Sequence, residues 1–319
     1  MLARRPILAL ALTLLAGAMP AFANTFPTQP VRFIVPFPPG GSADALTRML
    51  AQRMQAAWGQ VVVENKPGGT VIGTDLVAKA APDGHTIALV IPSLAVNPSI
   101  MAQLPYDTVK DLAGVTLIST LPIALFATPS LPVNNVAELV AYAKKNPKTL
   151  SYGSARLGST SHLAGLMLNQ LAGVDLVHVP YKGSAPAQQD LIGGRLTLLF
   201  DSFISQLPMV QAGRVKLVAP AGPRRLPGFP DAAPIGDTVK GFNVESYFGV
   251  IAPRATPPAV LAQIHQAIKK AMEDPAVSSW MATQGMVPAA STPAQFDAFI
   301  QADMKKWAAV VKSLGGKIA

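Results

Sequence analysis

Cysteine is absent from all 319 residues. That excludes a disulfide framework, a thiolate nucleophile and a cysteine metal site, so burial must carry the stability. Charge is also sparse, at 13% against 50% hydrophobic residues, which excludes a disordered chain. Basic residues outnumber acidic ones 26 to 17, yet no Lys/Arg block of five or more occurs, so the footprint of a nucleic-acid binder is missing. The excess implies only a mild preference for anionic ligands or surfaces. His85, His162, His178 and His265 have no zinc-type spacing, and no carboxylate pair stands out as an acid/base couple. Beyond residue 23 there is no apolar run of about 18 residues, the length that would span a bilayer.

The first residues are built differently. A short positive start (Met1–Pro6) precedes an apolar core from Ile7 to Met19, and Ala21-Phe22-Ala23 closes it with small residues. This is the pattern of a secretory signal, with cleavage expected after Ala23 and export out of the cytoplasm. Loss of Arg4 and Arg5 would leave a formal net charge of +7 in place of +9.

From there on, short apolar runs alternate with helical patterns. Val31–Phe37, Gln60–Lys66, Thr86–Ile91, Val115–Ser119, Ile123–Thr128, Leu150–Ser154, Leu176–Pro180, Leu196–Phe200 and Val215–Ala219 read as strands. Several are continuous rather than alternating, which predicts buried parallel strands. Apolar stripes at helical spacing run through Leu46–Met54, Leu163–Leu171, Leu261–Met272 and Phe296–Val311, and are read as core faces. Such alternation defines an α/β protein, and the length suits two domains.

The candidate chemistry lies where strands end and helices begin. Gly40-Gly41-Ser42-Ala43-Asp44 follows the first strand and opens the first helix. Glycine lets a backbone approach a ligand, Ser42 is the expected N-cap, and free amides at a helix start favour an anion. Asp44 could satisfy the helix dipole or meet a ligand amine. Pro67–Gly73 is a second glycine loop, without the lysine of a phosphate loop. Ser159 and Thr160 crowd a third helix start, with Arg156 as a candidate carboxylate partner and His162 as a first-turn structural residue. Tyr181 and Lys182 end one strand, and Asp201-Ser202 close another. The esterase elbow Gly-x-Ser-x-Gly is missing. A hydrolase using Ser42 or Ser159 with His162 is the enzymatic alternative.

Taken in order, Phe26–Asp44, Glu64–Gly69, Ala81–Thr86, Leu104–Asp107, Gly158–Leu163, His178–Gly183 and Gly249–Pro253 resemble the Bug family, the extracytoplasmic receptors of tripartite tricarboxylate transporters. The resemblance covers nearly the whole chain after residue 23. It implies a type II periplasmic binding-protein fold, in which two α/β domains are joined by two crossing strands around a ligand cleft. Residues 24–122 with 244–319 would form one domain and 123–243 the other. It also implies a monomer that captures a small carboxylate by closure and delivers it to integral membrane subunits, with no cofactor, metal or catalytic residue. A sensory receptor is the further alternative. By position, the ligand would meet Phe37, Gly40, Gly41, Ser42, Thr70, Ser159, Thr160, Tyr181, Lys182 and Asp201. Tyr247-Phe248-Gly249 departs from the family's Trp-Phe-Gly, and Thr70-Val71 from its usual small residues.

Overall fold

The computed structural model describes residues 26–67, 70–155 and 159–313. The signal-like start, Gly68-Gly69 and Arg156 lie outside them. The strands are β1 (Val31–Val35), β2 (Val61–Asn65), β3 (Thr86–Val90), β4 (Leu112–Leu121), β5 (Ile123–Ala127), β6 (Ser151–Ser154), β7 (Val177–Pro180), β8 (Leu198–Ser202), β9 (Lys216–Pro220), β10 (Ser246–Pro253) and β11 (Val287–Pro288). Between them run α1 (Ser42–Trp58), α2 (Thr70–Ala78), α3 (Ser93–Ile100), α4 (Val136–Lys145), α5 (Thr160–Ala172), α6 (Ser184–Ile192), α7 (Phe203–Gln211) and α8 (Ile235–Thr238). After β10 come α9 (Pro258–Met272), α10 (Pro275–Thr283) and α11 (Pro293–Ser313).

Two sheets result, ordered β11-β4-β10-β3-β1-β2 and β7-β6-β8-β5-β9. Both are covered on both faces, which is why their strands read as unbroken apolar runs. On β1, Phe33 and Val35 face Leu46, Leu50 and Met54 of α1 and Ile264 of α9, while Ile34 faces the side of Phe296 and Ile300 of α11. In the second sheet, Leu125 and Phe200 share a core with Leu163 and Met167 of α5. Phe126 and Leu199 face Ala187 and Leu191 of α6.

The expectation of parallel sheets holds only in part. β1, β2 and β3 run parallel, as do β6, β7 and β8, but β10 is antiparallel to both β3 and β4, and β5 to both β8 and β9. The odd strands are the ones at the crossings between sheets. β4 leaves the first sheet at Leu121, Pro122 intervenes, and β5 enters the second at Ile123, opposite Ser202 at the carboxyl end of β8. The return lies alongside: Val244 donates to the Ala221 carbonyl, Ala221 donates to that of Ile123, and Ser246 pairs with Leu121. β4 runs in the sense of β1 and β3, so it exits at their carboxyl edge. The carboxyl edges of the two sheets therefore meet across residues 121–123 and 244–246. Crevices of this kind, outside strand carboxyl ends, are where α/β proteins bind ligands.

α11 packs on both sheets. Phe296 and Ile300 pack under the first sheet, whereas Trp307 and Val310 join the α5 core together with Ala95 and Val96 of α3. No helix among the described residues is long and apolar enough to cross a membrane.

Candidate functional site in the interdomain cleft

On the first sheet's edge, β1 runs out through Phe37 and the chain turns at Gly40, whose φ of +93° is left-handed. A side chain at Gly40 would find open space, so this glycine is there for its backbone angle. The N-cap is Gly41 (φ −82°, ψ 170°), not Ser42 as expected; Ser42 is the first helical residue and makes no capping bond. The physical reason is that Gly41 adopts the extended cap conformation and its carbonyl accepts the first intrahelical bond, from Ala45 at 2.9 Å. Among the described residues, the amides of Ser42, Ala43 and Asp44 find no acceptor. Ser42 itself is exposed.

Asp44 turns inward. It is 4% exposed, and its carboxylate accepts from the Gly40 amide (2.9 Å), Asn65 Nδ2 (2.9 Å) and Arg48 Nε (3.0 Å). Burial alone would raise its pKa, but the bonds from Arg48, Gly40 and Asn65 outweigh burial and hold it below the usual carboxylate range. It is therefore committed to the loop rather than offered to a ligand amine. Asn65, at the end of β2, also donates to the Phe37 carbonyl (3.1 Å).

Thr70 opens α2 and accepts from Ser93 Oγ at 2.9 Å. Ser93 opens α3 after β3, and the sequence reading missed it. Its signal was available, because Ile91-Pro92-Ser93 repeats the pattern of strand end, proline and hydroxyl at a helix start.

On the second sheet's edge, Ser159 caps α5 by accepting from the His162 amide (3.3 Å) and lies 2.9 Å from Ser161 Oγ. The amides of Thr160 and Ser161 meet no acceptor among the described residues. Tyr181 directs its hydroxyl away from this edge and donates it to Asp190 at 2.8 Å; burial and that carboxylate push the phenol up to about 12. What Tyr181 can offer a ligand is thus its ring or backbone. Lys182 is exposed and has no ion-pair partner among the described residues. Asp201, 8% exposed, accepts from Ser184 (2.8 Å), Ser205 (3.3 Å) and Gln206 (2.7 Å). It ties the start of α6 to α7. Ser184 was also missed, since its partner is remote in sequence.

His162 is buried and stacks on His178 with ring centroids 4.0 Å apart, above Tyr152. Burial, then the neighbouring imidazole, lowers its pKa to about 4. A base so placed has no open path to a substrate, which removes the hydrolase's third member. The same shift makes a prediction. The folded state holds His162 neutral, so its contribution is complete above the unfolded value near 6.5 and is lost as pH falls toward 4. The loss is on the order of 3 kcal/mol. Urea unfolding between pH 7 and 4.5 should show it, and His162→Phe should flatten the slope; an unchanged slope would place its origin elsewhere. Glu64, held down to about 2 first by Arg32, loses its share only below about 4.5, so the two windows separate.

A concavity of about 490 Å³ lies away from these residues, at the far end of α1 between Arg53, Met54, Lys270 and Asp274. The candidate site is read from the helix starts at the carboxyl edges of the two sheets rather than from a deep concavity.

Two α/β sheets joined by crossing strands in this way are the architecture of a solute-binding protein. Residues 46–316 match TctC, the tripartite tricarboxylate transporter family receptor, and the chain belongs to that family. It is 36% identical over 308 residues to BugT of Bordetella pertussis, covering 94% of each chain. Among solved structures it is similar to the periplasmic binding protein BugD (34% identity, 92% of this chain and 99% of that one, TM-score 0.73). It is also similar to MatC from Rhodopseudomonas palustris with bound malate (30%, 90% and 100%, 0.71). An R. palustris protein solved with adipate gives 32% identity, 91% and 98% coverage and a TM-score of 0.74. A Polaromonas TctC solute-binding protein without ligand gives 26%, 91% and 100%, and 0.82. The family is thus one of transporter receptors, and BugD is a periplasmic binding protein.

Proposed function

We propose that this chain captures a small organic carboxylate in the cleft between residues 24–122 with 244–319 and residues 123–243. It closes over the ligand and passes it to the integral membrane subunits of a tripartite transporter. It does so as a monomer in the periplasm, after removal of residues 1–23. The acid is held by the Gly40–Ser42 loop and the start of α5, with Phe37, Thr70, Ser159, Thr160, Tyr181, Lys182 and Asp201 around it. The observation that carries this reading is the pair of helix starts with unspent amides, Ser42–Asp44 and Thr160–Ser161, on the two facing edges. Amides of that kind, aided by the helix dipole, suit an anion without requiring a paired cation. The relatives solved with malate and adipate support the same ligand class.

Closure is hinge motion about residues 121–123 and 244–246. The similarity scores favour an open form: the ligand-free Polaromonas protein superposes better than the malate complex despite lower sequence identity.

A thermal-shift screen over mono-, di- and tricarboxylates tests the reading. A binder at 100 times its dissociation constant should stabilise the protein by about 2.7 kcal/mol. If no carboxylate shifts the transition while a neutral or cationic solute does, the reading is wrong.

A further inference from the structure

The Gly40–Ser42 loop is exposed, rich in glycine and proline, and would be expected to wander. One polar network fixes both of its ends. Asp44 holds the Gly40 amide, Asn65 bridges the Asp44 carboxylate to the Phe37 carbonyl, and Arg48 binds Asp44 through Nε and Asn65 Oδ1 through Nη2 at 2.8 Å. The partners come from β2 and from the second turn of α1, both rigid elements. Arg48 does more than tie the others. Asp44 puts a buried negative charge within the first turn of α1, where a bound acid would be repelled. Its partner Arg48 is half exposed and cancels that charge from outside. Arg48 is the one basic side chain bonded to Asp44 among the described residues.

We propose that Asp44, Arg48 and Asn65 are positioning residues of the acid site: by fixing the Gly40 turn they hold the Ser42–Asp44 amides in line, and Arg48 supplies the counter-charge that lets an anion approach the start of α1. This rests on the carboxylate reading above, yet the first half of it is testable without any ligand.

In Asp44→Asn only one oxygen remains. It cannot accept from both Gly40 and Asn65, and the new amide group confronts a donor on one side. NMR-detected hydrogen exchange at the Gly40 amide should accelerate about tenfold in Asp44→Asn and in Asn65→Ala, the effect of losing a charge-assisted bond or its support. Exchange in the β1 and β3 amides should stay as it was. Unchanged exchange at Gly40 in both variants would overturn the brace, whatever the protein binds.

Calorimetry with L-malate and adipate then tests the counter-charge. Arg48→Gln should raise Kd about tenfold, because an uncompensated carboxylate then sits a few ångströms from the bound acid. Arg48→Lys restores the charge without the Asn65 bond and should recover most of that loss. Arg53→Gln, the same charge change further along α1 and paired with Asp274, is the control that should bind normally. The proposed counter-charge fails if Arg48→Gln binds like the wild type, or if Arg48→Lys loses as much as Arg48→Gln. If the wild type binds neither acid, the carboxylate reading fails for those two ligands while the exchange result still decides the brace.

Discussion

Ser42→Pro is expected to leave the fold in place and cost the protein most of its affinity. Proline is favoured at the first position of a helix, where its missing N–H has no intrahelical acceptor and its φ is already helical. The residue before a proline must be extended, and Gly41 already is, at φ −82° and ψ 170°. Nothing in the packing objects either, because Ser42 is exposed. What disappears is one of the amides proposed to hold the acid. A hydrogen bond to a charged group contributes about 1.5–3 kcal/mol, so Kd should rise about ten- to a hundredfold. The melting temperature of the ligand-free protein should move little. Calorimetry on the variant with whichever carboxylate the thermal-shift screen selects measures the effect. Wild-type affinity would mean that the start of α1 does not hold the ligand.

Gly165→Ala should do the reverse, harming the scaffold first. A methyl group at that position of α5 would lie 2.0 Å from Cε2 of Tyr152 and 2.3 Å from its Cζ. Tyr152 is fully buried against His178 and Phe200 and has nowhere to go. α5 must then lift from the second sheet, taking Ser159 and Thr160 with it. Overpacking of this kind costs about 1–3 kcal/mol, which for a chain of this size is a fall of roughly 2–5 °C in the melting temperature. Thermal unfolding checks it. Gly41→Ala is the contrast, since a side chain there meets open space at an ordinary φ. Equal stability of Gly165→Ala and the wild type would show that Tyr152 is not pinned as the packing implies.

Much of the scaffold was legible because the relevant information is local. The strands from Val31–Phe37 to Val215–Ala219 all appear, with ends shifted by a few residues, and the four apolar stripes are α1, α5, α9 and α11. β10 was found through the family resemblance and not through its pattern. Its segment is as continuously apolar as a parallel strand, and apolar content does not encode direction. The site residues divide in the same way. That Gly40, Gly41 and Ser42 join a strand to a helix follows from neighbours in the chain. That Gly41 rather than Ser42 caps the helix depends on a backbone angle, which either residue type can satisfy.

Side-chain destinations were the least legible. Tyr181 was expected to offer a hydroxyl and a flat face, and the hydroxyl is held by Asp190; Asp44 could have faced a ligand amine until Asn65 and Arg48 claimed it. Ser93 and Ser184 were overlooked because Thr70 and Asp201 meet them only across the fold.

By itself, then, the sequence determined that this is a cysteine-free α/β protein whose helix starts carry glycine and hydroxyl residues, since these follow from composition and short-range periodicity. Only the tertiary structure decided which amides stay unspent and which edges face each other. Both depend on strand direction at residues 121–123 and 244–246 and on hydrogen bonds between segments far apart in the chain, and neither leaves a trace in local pattern.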